Sequence, residues 1–77
     1  RIPKLKINKT KLPHLDSVGI YIAAMGGSKS NAWRQINSGS MHLNNKTVTN
    51  VRETMVNLKT GDLLQIGKYH FFEVEID

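Results

Sequence analysis

The sequence predicts an α+β domain in which two short helices pack against a small, mostly antiparallel sheet. Three observations lead to this class. Apolar residues recur at helical spacing over residues 15–25, a second helical stretch lies between Ser28 and Gly39, and after Gly39 the apolar residues alternate. A chain of 77 residues supports one domain with a thin core, because a domain of this size buries only about 60% of its unfolded surface.

The first helix is expected to begin at Asp16 or Ser17, because either side chain can accept a hydrogen bond from the first turn. Gly26 and Gly27 are expected to end it. The predicted core stripe consists of Leu15, Val18, Tyr21, Ile22 and Met25. The opposite face holds Ile20, Ala23 and Ala24. That face is unusually apolar, so we expect the N-terminal arm or a neighbouring domain to cover it.

The second helix is expected to start at an N-cap on Ser28 and to end near Gly39. Ala32 and Ile36 lie four residues apart and should point together into the core. The predicted outward face consists of Ser30, Arg34 and Asn37. Trp33 lies on the flank, one turn after Lys29. We favour partial burial of Trp33 at the edge of the core, with stacking on a base as the alternative.

The remainder of the chain is expected to form short strands. Residues 41–43 and 46–48 flank Asn44 and Asn45, two residues that tolerate the positive φ of a hairpin turn. Residues 49–59 show no clear period. Two further strands are predicted at 63–66 and 69–76, joined by a turn at Gly67 and Lys68.

Positive charge is concentrated toward the N-terminus. Residues 1–52 carry nine Lys or Arg and one acid, whereas residues 53–77 carry two basic and five acidic residues. The net charge of +5 favours a polyanionic partner such as nucleic acid. We interpret residues 1–14 as a basic linker or arm and residues 15–77 as the domain. The chain does not begin with Met, so we expect it to be a piece of a longer protein or a processed product.

The sequence offers no candidate active site. It has no cysteine, its acids are scattered, and its three histidines are not paired at the spacing of metal ligands. We therefore expect no catalytic residue, no metal site and no cofactor in this domain. The longest apolar run, residues 20–25, is far shorter than the roughly 20 residues of a membrane span, so no membrane partner is expected.

The stretch 28–48 resembles a known RNA-binding motif, called the S-four or αL motif. This motif occurs in a small-subunit ribosomal protein, some pseudouridine synthases and tyrosyl-tRNA synthetases. The positions that match it are Ser28, Lys29, Ser30, Ala32, Arg34, Ile36, Gly39, Leu43, Asn44 and Val48. Residues 61–68 are also similar to the closing strand and turn of the family. Among its members, the C-terminal domain of tyrosyl-tRNA synthetases, especially mitochondrial ones, looks most similar.

This resemblance implies a tRNA-binding domain that holds the anticodon or variable arm of tRNA. The missing part of such a ligase would use ATP and tyrosine. The implied location is the mitochondrial matrix, with the bacterial cytoplasm as the alternative. The expected RNA-binding residues are Lys29, Ser30, Trp33, Arg34, Asn37, His42 and Lys46. Of these, Lys29, Arg34 and Lys46 are expected to line one groove along an RNA backbone.

Three positions depart from the family pattern. Asn31 stands where the family usually has Glu, Trp33 where it often has Arg, and Gln35 where it has an apolar residue. Other functions therefore remain open at this point. One is another structured-RNA module, such as a group I intron splicing cofactor, an rRNA-binding protein or an RNA-modifying enzyme. The other is a basic module without RNA, whose N-terminal arm meets an acidic partner or an anionic membrane surface.

Overall fold

The computed structural model describes residues 1–77 and places two short α-helices against a five-stranded sheet, which confirms the predicted fold class. The helices are α1 (Ser17–Met25) and α2 (Lys29–Asn37), and a 3₁₀-helix spans Lys9–His14. The strands are β1 (Lys4–Ile7), β2 (Met41–Leu43), β3 (Lys46–Thr47), β4 (Leu63–Ile66) and β5 (His70–Ile76).

The sheet has the strand order β1-β5-β4-β2-β3. Three of its four pairings are antiparallel, and β1 pairs with β5 in parallel. The three central strands contribute fully buried side chains to the core, namely Met41 on β2, Leu64 on β4 and Val74 on β5. The helices cover the centre of the sheet, because the same core cluster contains Ile20 of α1 and Ile36 of α2.

The basic segment 1–14, expected as a linker or arm, is instead part of the folded domain. Lys4–Ile7 forms the edge strand β1, with Leu5 and Ile7 buried in the core. The cause is the alternation of lysine with an apolar residue, which places one side of the strand in the core and the other in solvent. The Lys4 Nζ also lies 3.0 Å from Glu73 Oε1 on β5.

Helix α1 is rotated relative to the predicted stripe. Asp16 is the N-cap, and its side chain accepts a hydrogen bond from Gly19 N–H at 2.8 Å. Ile20, assigned to the outer face, is fully buried, whereas Met25, assigned to the core stripe, is 37% exposed. The sequence stretch is apolar on all sides, so helical periodicity alone does not identify the buried face.

The irregular segment 49–59 completes the core and holds the start of α1. Val51, Met55 and Leu58 are buried in the same cluster as the helices. Ser17 N–H donates to the Glu53 carbonyl at 3.0 Å, and Met55 N–H donates to the Leu15 carbonyl at 2.9 Å. These two backbone bonds explain why Ser17 is fully buried at the first turn of α1.

Candidate nucleic-acid interface

Helix α2 presents the predicted outward face to solvent. Its N-terminus is fixed by Ser28, whose Oγ accepts a hydrogen bond from Asn31 N–H at 3.1 Å. Its rotation is fixed by Ala32 and Ile36, which are both fully buried. The three side chains on the opposite side are all exposed: Ser30, Arg34 and Asn37. Arg34 forms no ion pair, so its planar guanidinium is available to phosphate oxygens.

Lys29 and Trp33 lie on a different flank of α2, where they line an open groove between the two helices and residue 52. The open groove has a volume of about 470 Å³. Its polar lining comes from His14, Asp16, Lys29 and Arg52, and Trp33 is 42% exposed beside them. Apolar side chains from α1 and from the irregular segment complete it: Val18, Ile22 and Val51. We call this feature the Trp33 groove.

His42 and Lys46 lie on the β2–β3 hairpin. Asn44 and Asn45 make its turn with φ values of 51° and 70°, as their tolerance of the left-handed conformation predicts. His42 Nδ1 and Thr47 Oγ1 share a hydrogen bond of 3.1 Å across the hairpin, and Lys46 is exposed. The end of α2 lies beside this hairpin, since a Cβ placed on Gly39 would stand 3.9 Å from Thr47 Cγ2.

Asn44 ties the hairpin to the start of β4. Its side-chain Oδ1 accepts a hydrogen bond from Leu63 N–H at 2.9 Å, and its Nδ2 donates to Asp62 Oδ1 at 3.1 Å. The other carboxylate oxygen of Asp62 accepts from Lys59 N–H at 3.0 Å. Asp62 is buried. The network therefore fixes the position of the hairpin relative to β4, and with it the position of Lys46.

The structure brings the predicted residues together in three places and not in one groove. Ser30, Arg34 and Asn37 form the outward face of α2. Lys29 and Trp33 belong to the Trp33 groove, while His42 and Lys46 belong to the hairpin. Contrary to expectation, neither Arg34 nor Lys46 lines the groove that contains Lys29. On the helical wheel Lys29 and Arg34 lie on separate sides of α2, so Arg34 cannot line the groove that contains Lys29.

His14 and Arg52, which also line the groove, were not among the predicted RNA-binding residues. Each lies in a segment without a helical or strand period, His14 at the end of the 3₁₀-helix and Arg52 in the irregular segment. Their positive or titratable character was the only signal in the sequence. His14 and Arg52 lie near Trp33 because the 3₁₀-helix and the irregular segment both pack against α1, which also lines the groove.

Positive charge dominates the surface. All eleven Lys and Arg side chains are exposed, and Lys4 with Glu73 is the one ion pair in the molecule. The other basic side chains therefore keep their charge free of a carboxylate partner. Such a surface attracts polyanions at long range, and Lys or Arg side chains that contact phosphates release the counterions condensed on a nucleic-acid backbone.

No family model matches the chain, and no similar sequence is found among curated proteins. The helices are all too short for a membrane-spanning segment. No three side chains of the metal-ligating types lie together.

Proposed function

We propose that this domain binds structured RNA through the phosphate backbone. The observation that carries the proposal is the geometry of α2. Buried Ala32 and Ile36 hold the helix so that Arg34, between Ser30 and Asn37, faces solvent without an ion-pair partner. A planar cation flanked by small polar side chains suits phosphate oxygens. Contacts of this kind position an RNA without reading its sequence, so recognition is by shape.

We further propose that the RNA is tRNA and that the domain is the tRNA-binding appendage of a tyrosine–tRNA ligase, in a mitochondrion. The resemblance of residues 28–48 and 61–68 to the S-four motif supports this assignment. The fold is compatible with it, since a helix pair leads into a hairpin and closing strands. This domain would bind the tRNA, and the remainder of the parent enzyme would use ATP and tyrosine.

The test is tRNA binding by Arg34→Glu at physiological salt. Hydrogen bonds to charged groups contribute about 1.5–3 kcal/mol each, and 1.4 kcal/mol is a factor of ten. The loss of affinity is therefore expected to be roughly ten- to a hundredfold. Arg34→Lys keeps the charge but loses the planar fork, so its loss should be much smaller.

Lys68→Glu is the matched control. Lys68 is exposed in the turn between β4 and β5 and is not part of the outward face of α2, although Gly67 N–H donates to the Ser40 carbonyl just beyond that helix at 2.8 Å. Its reversal changes the net charge by the same amount as Arg34→Glu. Arg34→Glu and Lys68→Glu should both melt close to wild type, since exposed substitutions usually stay within about 0.5 kcal/mol. Equal tRNA affinity of the two variants would contradict the assignment of α2 as the RNA face. Equal affinity of the wild-type domain for tRNA and for an unrelated acidic protein would instead indicate a general basic module.

A further inference from the structure

The Trp33 groove combines an aromatic face with positive charge. Trp33 is the only tryptophan in the chain, and although it packs on the domain it remains 42% exposed. A large aromatic side chain in this state retains a face on which a flat ring can stack. The groove volume of about 470 Å³ falls in the range of roughly 300–1,000 Å³ that is usual for small-ligand sites.

The charges around Trp33 favour an anion. Lys29 and Arg52 both line the groove and are exposed, and neither forms an ion pair. The single acid, Asp16, is occupied as the N-cap of α1, where its Oδ1 accepts the Gly19 N–H bond at 2.8 Å. His14 completes the polar lining. The groove therefore offers an apolar and aromatic wall next to two permanent cations.

We propose that the Trp33 groove binds one unpaired nucleotide of an RNA chain. The base stacks on the indole of Trp33, and the adjoining phosphates contact Lys29 and Arg52. This inference rests on the proposed RNA-binding function and deepens it, because it names a site for a base where the outward face of α2 contacts the backbone alone. Stacking on an aromatic side chain is tolerant of base identity, so the site selects for an unpaired base and not for a sequence.

A base inside a duplex is already stacked on both faces and cannot lie on Trp33. The groove should consequently prefer single-stranded RNA over duplex RNA of the same length. In a folded RNA it should engage a loop or bulge nucleotide, while the outward face of α2 follows the neighbouring backbone.

The experiment uses the intrinsic fluorescence of Trp33, which reports on this groove alone because there is no other tryptophan. A single-stranded RNA pentamer, the same sequence as a duplex, and a nucleoside monophosphate are titrated separately. The pentamer should quench Trp33 saturably. The duplex and the monophosphate should need concentrations at least about tenfold higher for the same quenching, since they lack either an unpaired base or the flanking phosphates.

Variants are compared by anisotropy of a labelled pentamer. Base–aromatic stacking is worth about 1–3 kcal/mol by alanine substitution, so Trp33→Ala should weaken binding roughly 5- to 150-fold, while Trp33→Phe retains most of the affinity. The plot of log affinity against log salt has a negative slope. Arg52→Gln should make this slope shallower by about 0.7, the value for one phosphate contact to a single strand. Arg52 is exposed, so this variant tests the site even where Trp33→Ala impairs folding.

The matched controls are Tyr69→Ala and Lys68→Gln. Tyr69 is 86% exposed and Lys68 is exposed beside it, so they offer an aromatic ring and a cation outside the groove. Both controls should bind the pentamer like wild type. The inference is overturned by absence of quenching, by equal quenching of Trp33 by duplex and pentamer, by equal quenching by the monophosphate, or by wild-type affinity of Trp33→Ala and Arg52→Gln.

The two proposals fail separately. Loss of tRNA binding in Arg34→Glu, with unchanged pentamer binding in the groove variants, would refute the nucleotide site and leave the RNA-binding function standing. Saturable quenching by the pentamer with no binding of tRNA by the wild-type domain would support the nucleotide site and refute the assignment to tRNA.

Discussion

Asn44 offers the sharpest test of how the hairpin is held. The perturbation is Asn44→Gly, compared with Asn45→Gly. Both asparagines have positive φ, 51° and 70°, so glycine suits the backbone equally well at either position. Only Asn44 uses its side chain to tie the turn to β4, through Asp62 Oδ1 and Leu63 N–H. The difference between the variants therefore isolates these two hydrogen bonds.

The magnitude follows from the partners. The bond to the buried carboxylate of Asp62 is of the charged type, worth about 1.5–3 kcal/mol, and the bond from Leu63 N–H is worth about 0.5–1.5 kcal/mol. Asn44→Gly should thus lower the free energy of unfolding by roughly 2–4 kcal/mol. This is a large share of the roughly 4–12 kcal/mol that a domain of this length usually has. Asn45→Gly should stay within about 0.5 kcal/mol of wild type.

The assay is urea unfolding followed by circular dichroism, with thermal melting as the second measurement. The Tm of Asn44→Gly should fall by roughly 10–30 °C, because 1 kcal/mol corresponds to about 4–8 °C in a domain of this size. If the two variants unfold within about 0.5 kcal/mol of each other, the reasoning is refuted, and the hairpin is held by its backbone and core contacts alone.

The remaining predictions concern the helix cap, the edge strand and the charge of the surface. Ser28→Ala should destabilise the domain by about 0.5–2 kcal/mol, because it leaves Asn31 N–H without its hydrogen-bond partner. Denaturant unfolding measures this loss, and Ser30→Ala, on the exposed outward face, is the control. Ile7→Ala should cost about 2–5 kcal/mol, as expected for a buried side chain; an effect as small as that of Ile2→Ala would show that β1 is not needed for stability. The affinity for tRNA should fall linearly with salt on a log–log plot, with a slope of about −3 to −5 for four to six phosphate contacts, and a flat plot would exclude binding through the RNA backbone.

Helix α2 could be predicted from the sequence because its signals are local. Ser28 and Gly39 mark its ends, and the four-residue spacing of Ala32 and Ile36 fixes its buried side. The exposure of Arg34 follows directly from that spacing. The β2–β3 hairpin could be predicted for the same reason, since two consecutive asparagines are among the few residue pairs that tolerate the positive φ of its turn.

Helix α1 and the Trp33 groove could not be predicted in the same way. Ser17–Met25 has apolar residues on all sides, so its orientation is decided by contacts from elsewhere in the chain. One of these contacts joins Ser17 to Glu53, 36 positions further along the chain. Arg52 reaches the groove through that same segment. Sequence periodicity describes the faces of one element and carries no information about which distant segment covers it.

The pairing of β1 with β5 joins the first strand of the domain to the last. Lys4 pairs with Glu73, so nearly the whole chain must be available before this part of the sheet can close, and loop-closure entropy opposes the step until then. During synthesis on a ribosome, β1 therefore emerges before β5 and waits unpaired for it. Its alternating lysines protect it meanwhile from pairing with other chains. A chain that stops before His70 would leave both β1 and β4 without β5, and we expect it to aggregate and not to fold as a shortened domain.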